Sequence, residues 1–240
     1  MGQAQNIRFP CARGMDYRAS ELAADMKKFN VAYAAVSCLS KNIQRDNNTV
    51  ANALKELPGR IIGLAHVDPS AGDEAIDEID RCLETGFRGI KLHPYYDGYN
   101  AFDLNIVSPV LEKASKERLP VLFHTGTPPM TLPIHIGYLA QQFPDVVLIC
   151  GHMGGWDSML ESIPAVRMAE NVYLDTACAG AAKVVELIIK KTDPARVLWG
   201  SDVPYGNFLT EFYKLMSLDL PEEQKQMILF DNAAKVYGIH

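Results

Sequence analysis

Seven short apolar segments, separated by longer amphipathic ones, constrain the fold of this 240-residue chain more than any other feature. Each is rich in Val, Ile and Leu and apolar at nearly every position, as expected of parallel strands covered on both faces. They are VAYAAVS from Val31, RIIGLAHV from Arg60, FRGIKLH from Phe87, LPVLFHT from Leu119, VVLICGH from Val146, NVYLDT from Asn171 and RVLWGSD from Arg196. The pattern predicts an α/β protein.

Helical spacing between these segments predicts crossover helices, for example over residues 73–85, after which Gly86 provides a C-cap. Seven strand–helix units and a short unit near residues 4–9 make eight, which predicts a (β/α)8 TIM barrel with a shortened or atypical first strand. A doubly wound open sheet is the alternative, although the chain lacks the GxGxxG and GxxxxGK[ST] motifs of its nucleotide-binding versions. Since no linker or low-complexity segment divides residues 1–240, we predict a single barrel domain.

The composition of the chain limits the kinds of partner that the protein is expected to bind. The formal net charge of -6 argues against nucleic acid or anionic membrane as the main partner. The five cysteines are scattered and form no CxxC pair, which favours reduced thiols in a cytoplasm. The N-terminus has no apolar signal region, and no apolar run approaches the roughly 20 residues of a membrane span. We therefore expect a cytoplasmic protein with a small-molecule substrate.

Polar side chains follow four of the predicted strands where each strand ends. His93, His124, His152 and Asp202 come directly after apolar runs, and His66 in GLAHVDP follows another. The carboxyl ends of barrel strands meet at one rim, where barrel enzymes build their sites. A single histidine at a strand end is more often structural, and we interpret His66 in that way. Several at one rim, with an aspartate, favour a functional site.

Imidazole and carboxylate groups at one point suit a divalent metal of the zinc type. Such an ion lowers the pKa of a bound water and creates a nucleophile near neutral pH. A carboxylate beside it can bind the ion and also accept the proton. The alternative for Asp202 is that it caps the following helix, and we expect Asp175 to have a role of that kind.

Three residues are candidates for substrate binding: His93, Lys91 and Tyr95. Lys91 precedes His93 by two positions and shares its face of the strand, so it could bind a substrate carboxylate, as could Arg88, or pair with Asp202. Its alternative is a lysine that extends to solvent at the rim. Tyr95 lies in the aromatic segment HPYYDGYNAFD and either lines the pocket or packs the loop.

Six segments resemble a known family in their order and spacing: GFRGIKLHP, VLFHTGTP, CGHMGG, VYLDT, VLWGSDVP and the closing DNAAKVYGI. Over residues 20–240 the chain resembles the amidohydrolase-related family, which includes the aminocarboxymuconate-semialdehyde-decarboxylase-like enzymes. The resemblance implies a metal-dependent hydrolase or decarboxylase on a (β/α)8 barrel. It also implies a divalent metal, usually zinc, and a homodimer. In that family the residues matched by His124 and Asp202 bind the metal, the latter also as general base, and the residue matched by His152 acts at the metal or on its water.

The chain departs from that family at its start. The family's first strand carries a His-x-His pair of metal ligands, whereas this chain has AQNIRFP and no histidine before His66. Gln5 or Asn6 would stand near the missing ligands, and amides are poor zinc ligands.

Three hypotheses follow. The first is a metal-dependent hydrolase of a small C–N, ester or lactone substrate, with Asp202 and His152 as catalytic residues. The second is non-oxidative decarboxylation of an aromatic or unsaturated acid at the same site. The third is a metal-free barrel that binds a small molecule without turnover, which the missing His-x-His supports directly.

Overall fold

The computed structural model describes residues 7–11 and 15–239. Its first element is an antiparallel hairpin of β1 (Arg8–Pro10) and β2 (Asp16–Arg18), which forms a sheet of its own. The eighth parallel unit predicted near residues 4–9 is therefore not seen: residues 4–6 lie outside the described part, and β1 pairs with β2 instead. The link between β1 and β2 is five residues long, too short for the crossover of a dozen or more residues that a parallel pair needs.

The seven predicted strands form one parallel sheet, which confirms the α/β barrel fold. They are β3 (Ala34–Val36), β4 (Ile61–His66), β5 (Gly89–Leu92), β6 (Val121–His124), β7 (Leu148–Gly151), β8 (Val172–Asp175) and β9 (Val197–Leu198). Their order in the sheet follows the chain, and β3 and β9 are its two edges within the described residues. Each strand thus neighbours the next along the chain, as right-handed crossovers produce.

Helices connect the strands. They are α1 (Ala19–Lys28), α2 (Ile43–Glu56), α3 (Asp73–Glu84), α4 (Pro94–Asp97), α5 (Leu104–Glu117), α6 (Pro133–Gln142), α7 (Ser162–Met168), α8 (Ala182–Lys191), α9 (Phe208–Met216), α10 (Glu222–Gln226) and α11 (Asn232–Tyr237). A π-helical stretch, Met227–Asp231, joins the last two. Helix α2 begins where the side chain of Asn42 accepts a hydrogen bond from the backbone N–H of Arg45.

The outer face of the sheet packs against the helices. Alternate strand residues enter this core, among them Ile90 and Leu92 of β5, Phe123 of β6, Cys150 of β7 and Leu174 of β8. Because successive side chains of a strand point to opposite faces, the residues between them point to the inner face.

The inner face begins with an apolar layer, which we call the floor. It consists of Ile62, Leu64, Leu122, Ile149, Tyr173 and Leu198. Tyr237 of α11 packs against these side chains. The floor therefore fills the inner face toward the amino ends of the strands and leaves the carboxyl ends for polar groups.

Two expectations from composition have structural counterparts. None of the five cysteines is joined to another in a disulfide. Among the described residues, no helix combines the length and apolarity needed to cross a bilayer.

Candidate functional site

A polar layer lies directly above the floor on the inner face. Every second side chain of a strand points to the same face. Lys91 and His93 therefore share the inner face with Gly89 on β5, His124 shares it with Leu122 on β6, and Asp175 shares it with Tyr173 on β8. His66 on β4 aligns with Lys91 in the sheet register. The strand period of two thus accounts for this layer, since each residue lies two positions beyond an inward-facing one.

Three imidazole rings contact one another in this layer. The rings of His93 and His124 stack with centroids 3.9 Å apart and an angle of 12° between their planes. His152 meets His124 edge-on, with centroids 4.8 Å apart. His152 is the residue immediately after β7, so three successive strands deliver these rings. The structure therefore brings together three of the residues predicted for the site.

Each ring is oriented by a hydrogen bond, in His93 and His124 to the loop that the residue itself begins and in His152 to the loop after β8. The Nδ1 of His93 accepts from the backbone N–H of Tyr96 (3.2 Å), and the Nε2 of His124 lies 2.9 Å from the hydroxyl of Thr127. The Nδ1 of His152 lies 2.8 Å from the carbonyl oxygen of Ala177. A carbonyl can only accept, so Nδ1 carries a hydrogen and the Nε2 of a neutral His152 keeps its lone pair.

Burial holds the stacked rings in the neutral form. It lowers the pKa of His93 to about 2, and the charge of Lys91 adds to the effect. The pKa of His124 is also lowered, mainly by burial and then by the neighbouring histidines. Neutral imidazoles are acceptors and metal ligands rather than cations, so these two rings add no positive charge to that of Lys91.

Lys91 faces several carboxylates without a close partner. Burial lowers the pKa of its ammonium, while the charges of Asp202, Asp175 and then Asp97 oppose that shift. Within the described residues, its Nζ makes no hydrogen bond and no ion pair of 4.0 Å or less. The side chain keeps some exposed surface although protein atoms surround it. A cation in this position can bind an anion that enters the site.

Asp175 is a member of the site that the sequence interpretation assigned to a capping role. Its Oδ1 accepts from the backbone N–H of Ala177 (2.9 Å), as a turn-forming carboxylate does. The same oxygen would lie 2.5 Å from a Cβ at Gly200, so only glycine lets the end of β9 approach this carboxylate. Burial raises the pKa of Asp175, and the charge of Asp202 raises it further. The two aspartates therefore form an interacting pair.

Strained backbone is concentrated at the same rim. His152, Met153, Cys178 and Asp202 all have φ between +47° and +65°, the left-handed region. Each such non-glycine residue costs about 1–3 kcal/mol and persists only when the surrounding structure imposes it. These four residues follow β7, β8 and β9, so the strain lies at the carboxyl ends where the polar layer opens.

Two loops of the site touch through their backbones. A Cβ at Gly126, in the loop after β6, would lie 2.4 Å from the carbonyl oxygen of Gly154 in the loop after β7. Thr125 joins the same loops: its hydroxyl donates to the carbonyl of Gly151 (2.6 Å) and accepts from the N–H of Gly154 (3.0 Å). These contacts fix the loop of His152 against that of His124.

The remaining predicted residues lie at varying distances from the polar layer. The side chain of Tyr95 is 61 % exposed, whereas the ring of Tyr96 contacts His93 with centroids 5.8 Å apart. Arg88 is exposed at the amino end of β5, opposite to the rim, so the suggestion that it binds a substrate carboxylate there is not supported. Gln5 and Asn6 lie outside the described residues.

His66 is buried beside a carboxylate of the loop after β5. Its Nε2 lies 3.0 Å from the carboxylate of Asp97, and both side chains are almost fully buried. Its backbone N–H and C=O bond to the side chain of Asn47. Asp97 had no signal in the sequence beyond its place in the loop after β5, because its partner lies 31 residues away.

A surface groove of about 320 Å³ lies elsewhere, between α1 and the loop after β9. It is lined by residues such as Tyr17, Phe29 and Phe208 and contains none of the three clustered histidines. We place the candidate site at the polar layer because the polar groups converge there and not in the groove.

The donors of the polar layer have the right chemistry for a metal ion but not its arrangement. Neutral imidazole and carboxylate are ligands that zinc accepts. In the described part of the chain, however, no three His, Cys, Asp or Glu side chains are grouped so that they could hold a metal ion. The set His124, His152 and Asp202 therefore stays a prediction, and no chemical step below depends on a metal.

Comparison with known proteins gives a family and a set of similar folds. A sequence model of the family described as Amidohydrolase matches residues 2–239. Members of this family typically bind a divalent metal. Among curated proteins, none matches the chain.

Solved structures with similar folds include enzymes of two kinds. The 5-carboxyvanillate decarboxylase LigW from Sphingomonas paucimobilis is 19% identical, with a TM-score of 0.73 over 92% of this chain and 83% of that one. A 5-carboxyvanillate decarboxylase from Novosphingobium aromaticivorans, with bound manganese, is 18% identical, with a TM-score of 0.71 over 90% and 80%. The 4-oxalomesaconate hydratase from Rhodopseudomonas palustris is 19% identical, with a TM-score of 0.69 over 96% and 86%. At these identities the similarity shows the fold alone.

Proposed function

Because the chain belongs to the amidohydrolase family, we propose that it is an enzyme that releases carbon dioxide from a small aromatic or unsaturated carboxylic acid without oxidation. The observation that carries the proposal is the placement of Lys91, a lysine on the inner face without a close partner. Its charge acts on His93 and His124 and on the carboxylates of Asp175 and Asp202. A buried cation of this kind is stabilised by an anionic ligand. Similar folds that decarboxylate aromatic acids add support.

Lys91 binds the substrate carboxylate in this proposal. The stacked rings of His93 and His124 offer a flat, uncharged surface beside it, against which an aromatic or conjugated substrate can pack. The Nε2 of His152 accepts a hydrogen bond from a substrate hydroxyl. Tyr95 remains a proposed contact at the mouth of the site, since its ring is exposed.

The proton for the product comes from the aspartate pair. Burial and the charge of Asp202 raise the pKa of Asp175, so in this proposal the carboxyl group of Asp175 carries the proton. As the bond to the carboxylate carbon breaks, its electron pair stays on the adjoining substrate carbon. The proton of the pair then forms the new C–H bond, carbon dioxide leaves, and water restores the proton.

Hydrolysis of a C–N, ester or lactone bond is the second candidate, favoured by the description of the matching family. Here the carboxylate of Asp202 accepts the proton of the attacking water, and the Nε2 of His152 accepts a hydrogen bond from that water. Zinc, the metal expected from the sequence, is not used in either proposal because the described donors do not form a three-ligand group.

The test is a panel of hydroxylated benzoic acids and unsaturated dicarboxylic acids, with carbon dioxide and ring products measured together. Release of carbon dioxide in equal amount to the decarboxylated product supports the proposal. Lactones and amides of these acids are assayed beside them, and release of the free acid from such a compound without carbon dioxide supports hydrolysis. Saturable binding with no product from any acid supports the binding barrel and contradicts both enzymatic proposals.

A further inference from the structure

The charge of the polar layer differs from that of a site built around a metal. Lys91 is aligned with His66 on one neighbouring strand and with Leu122 of the floor on the other, so it lies where the floor meets the polar layer. Its charge acts on His93 and His124 by repulsion and on Asp175 by attraction. One ammonium group thus interacts with both the imidazoles and the carboxylates of the site.

The histidine nitrogens are already used by the protein. His93 uses Nδ1 to accept from Tyr96, His152 uses Nδ1 to donate to Ala177, and His124 uses Nε2 with Thr127. One nitrogen per ring remains free, and these do not join a carboxylate into a three-ligand group within the described residues. The carboxylates, in turn, face the ammonium of Lys91.

We infer that the ammonium of Lys91 supplies the positive charge that a divalent metal supplies in other members of this family, so that the site binds its carboxylate substrate without a resident metal. The inference rests on the substrate class given under the proposed function. An ammonium offers one charge and three donors, enough to bind a carboxylate. A divalent cation that entered beside it would meet the repulsion of a fixed charge.

The inference predicts that removal of the lysine creates affinity for metal. In Lys91→Met the charge disappears while a stem of similar length remains. Asp175 and Asp202 then have no cation to balance them, and a divalent ion that approaches these carboxylates no longer meets the repulsion of a fixed charge. Lys91→Arg keeps the charge and serves as the matched control.

The experiment is a titration of the three proteins with Zn²⁺ and with Mn²⁺ by calorimetry, followed by metal analysis after dialysis. We expect wild type and Lys91→Arg to retain far less than one ion per chain, and Lys91→Met to bind Zn²⁺ at least about tenfold more tightly than wild type. One ion retained per wild-type chain overturns the inference, and so does a Lys91→Met protein that gains no affinity.

Two features keep the outcome clear. If Lys91→Met does not fold, as judged by circular dichroism, Lys91→Gln replaces it, and the wild-type titration decides by itself whether a resident metal is bound. The titration also needs no substrate. If the decarboxylation assay detects no product, the metal titration still tests the inference about Lys91. If the titration finds a tightly bound metal, the assay still tests the proposed decarboxylation.

Discussion

The floor and the polar layer share the same strands and the same inner face, yet they differ in almost every physical respect. Leu122 and Ile149 of the floor are apolar and packed, whereas His124, two residues beyond Leu122, has a loop hydroxyl as its hydrogen-bond partner. The floor shows ordinary strand geometry, while the rim above it has four left-handed residues. One strand thus contributes to stability along part of its length and to chemistry at its end. A substitution should affect one property or the other according to its layer.

The largest effect is expected at the rim. Asp202→Asn removes a carboxylate from the aspartate pair, so kcat for the carbon dioxide-releasing reaction should fall about 10²–10⁴-fold. The melting temperature should change little, since asparagine tolerates a left-handed backbone. Asp219→Asn is the control, because that side chain is 88% exposed at the surface. Equal activity in the two variants would contradict the role of Asp202.

The floor should respond in the opposite way. Ile149→Ala leaves a cavity among Leu64, Tyr173 and Leu198, so the free energy of unfolding should fall by about 2–5 kcal/mol. Urea unfolding measures this change, and activity per folded molecule should be retained. Leu187→Ala, at a position 44% exposed, should change the free energy by less than about 0.5 kcal/mol. A floor variant that stays stable but loses activity would contradict the claim that the floor determines stability and the polar layer determines activity.

The buried histidines of the polar layer should make the folded protein less stable in acid. The folded protein keeps His93 neutral down to about pH 2, while in the unfolded chain the same side chain takes up a proton near pH 6.5. The unfolded state therefore binds more protons between these values, and stability falls as the pH falls below 6.5, by up to about 1.4 kcal/mol per pH unit.

His93→Gln should remove this contribution and make the stability curve shallower between pH 6 and pH 5. Urea unfolding at both pH values measures it, and His124 contributes a slope of the same sign that remains in the variant. An unchanged slope in His93→Gln would mean that this ring is protonated in the folded protein.

The smallest effect is expected outside both layers. Tyr95→Ala removes an exposed ring, so the free energy of unfolding should stay within about 0.5 kcal/mol of wild type. If the ring contacts substrate at the mouth, KM should rise a few-fold with kcat unchanged. Steady-state kinetics with the best acid of the panel tests this, and an unchanged KM would restrict substrate contacts to the polar layer.

The sequence predicted the parallel strands well because a strand covered on both faces is apolar at nearly every position, and each of the seven apolar runs contains one. It predicted less about β1, because whether a short segment joins the main sheet or pairs with its neighbour depends on the turn and on tertiary contacts. It also indicated that His93, His124 and His152 would share a rim.

The role of Asp175 could not be predicted in the same way. In the sequence, a carboxylate that accepts a hydrogen bond from the next turn cannot be told from one that faces a site. Asp175 does both in this structure. What decides its place is the close approach of Gly200 from the next strand, which no local pattern encodes. The Asp97 partner of His66 was missed for the same reason.

The backbone contact between Gly126 and Gly154 has a mechanical consequence. The loops after β6 and β7 touch without side chains between them, so we expect them to move together. The distance between His124 and His152 should then stay the same when the mouth of the site opens and closes. An engineer who wishes to reshape this mouth cannot graft one loop alone. The two must be exchanged together, as a single cassette.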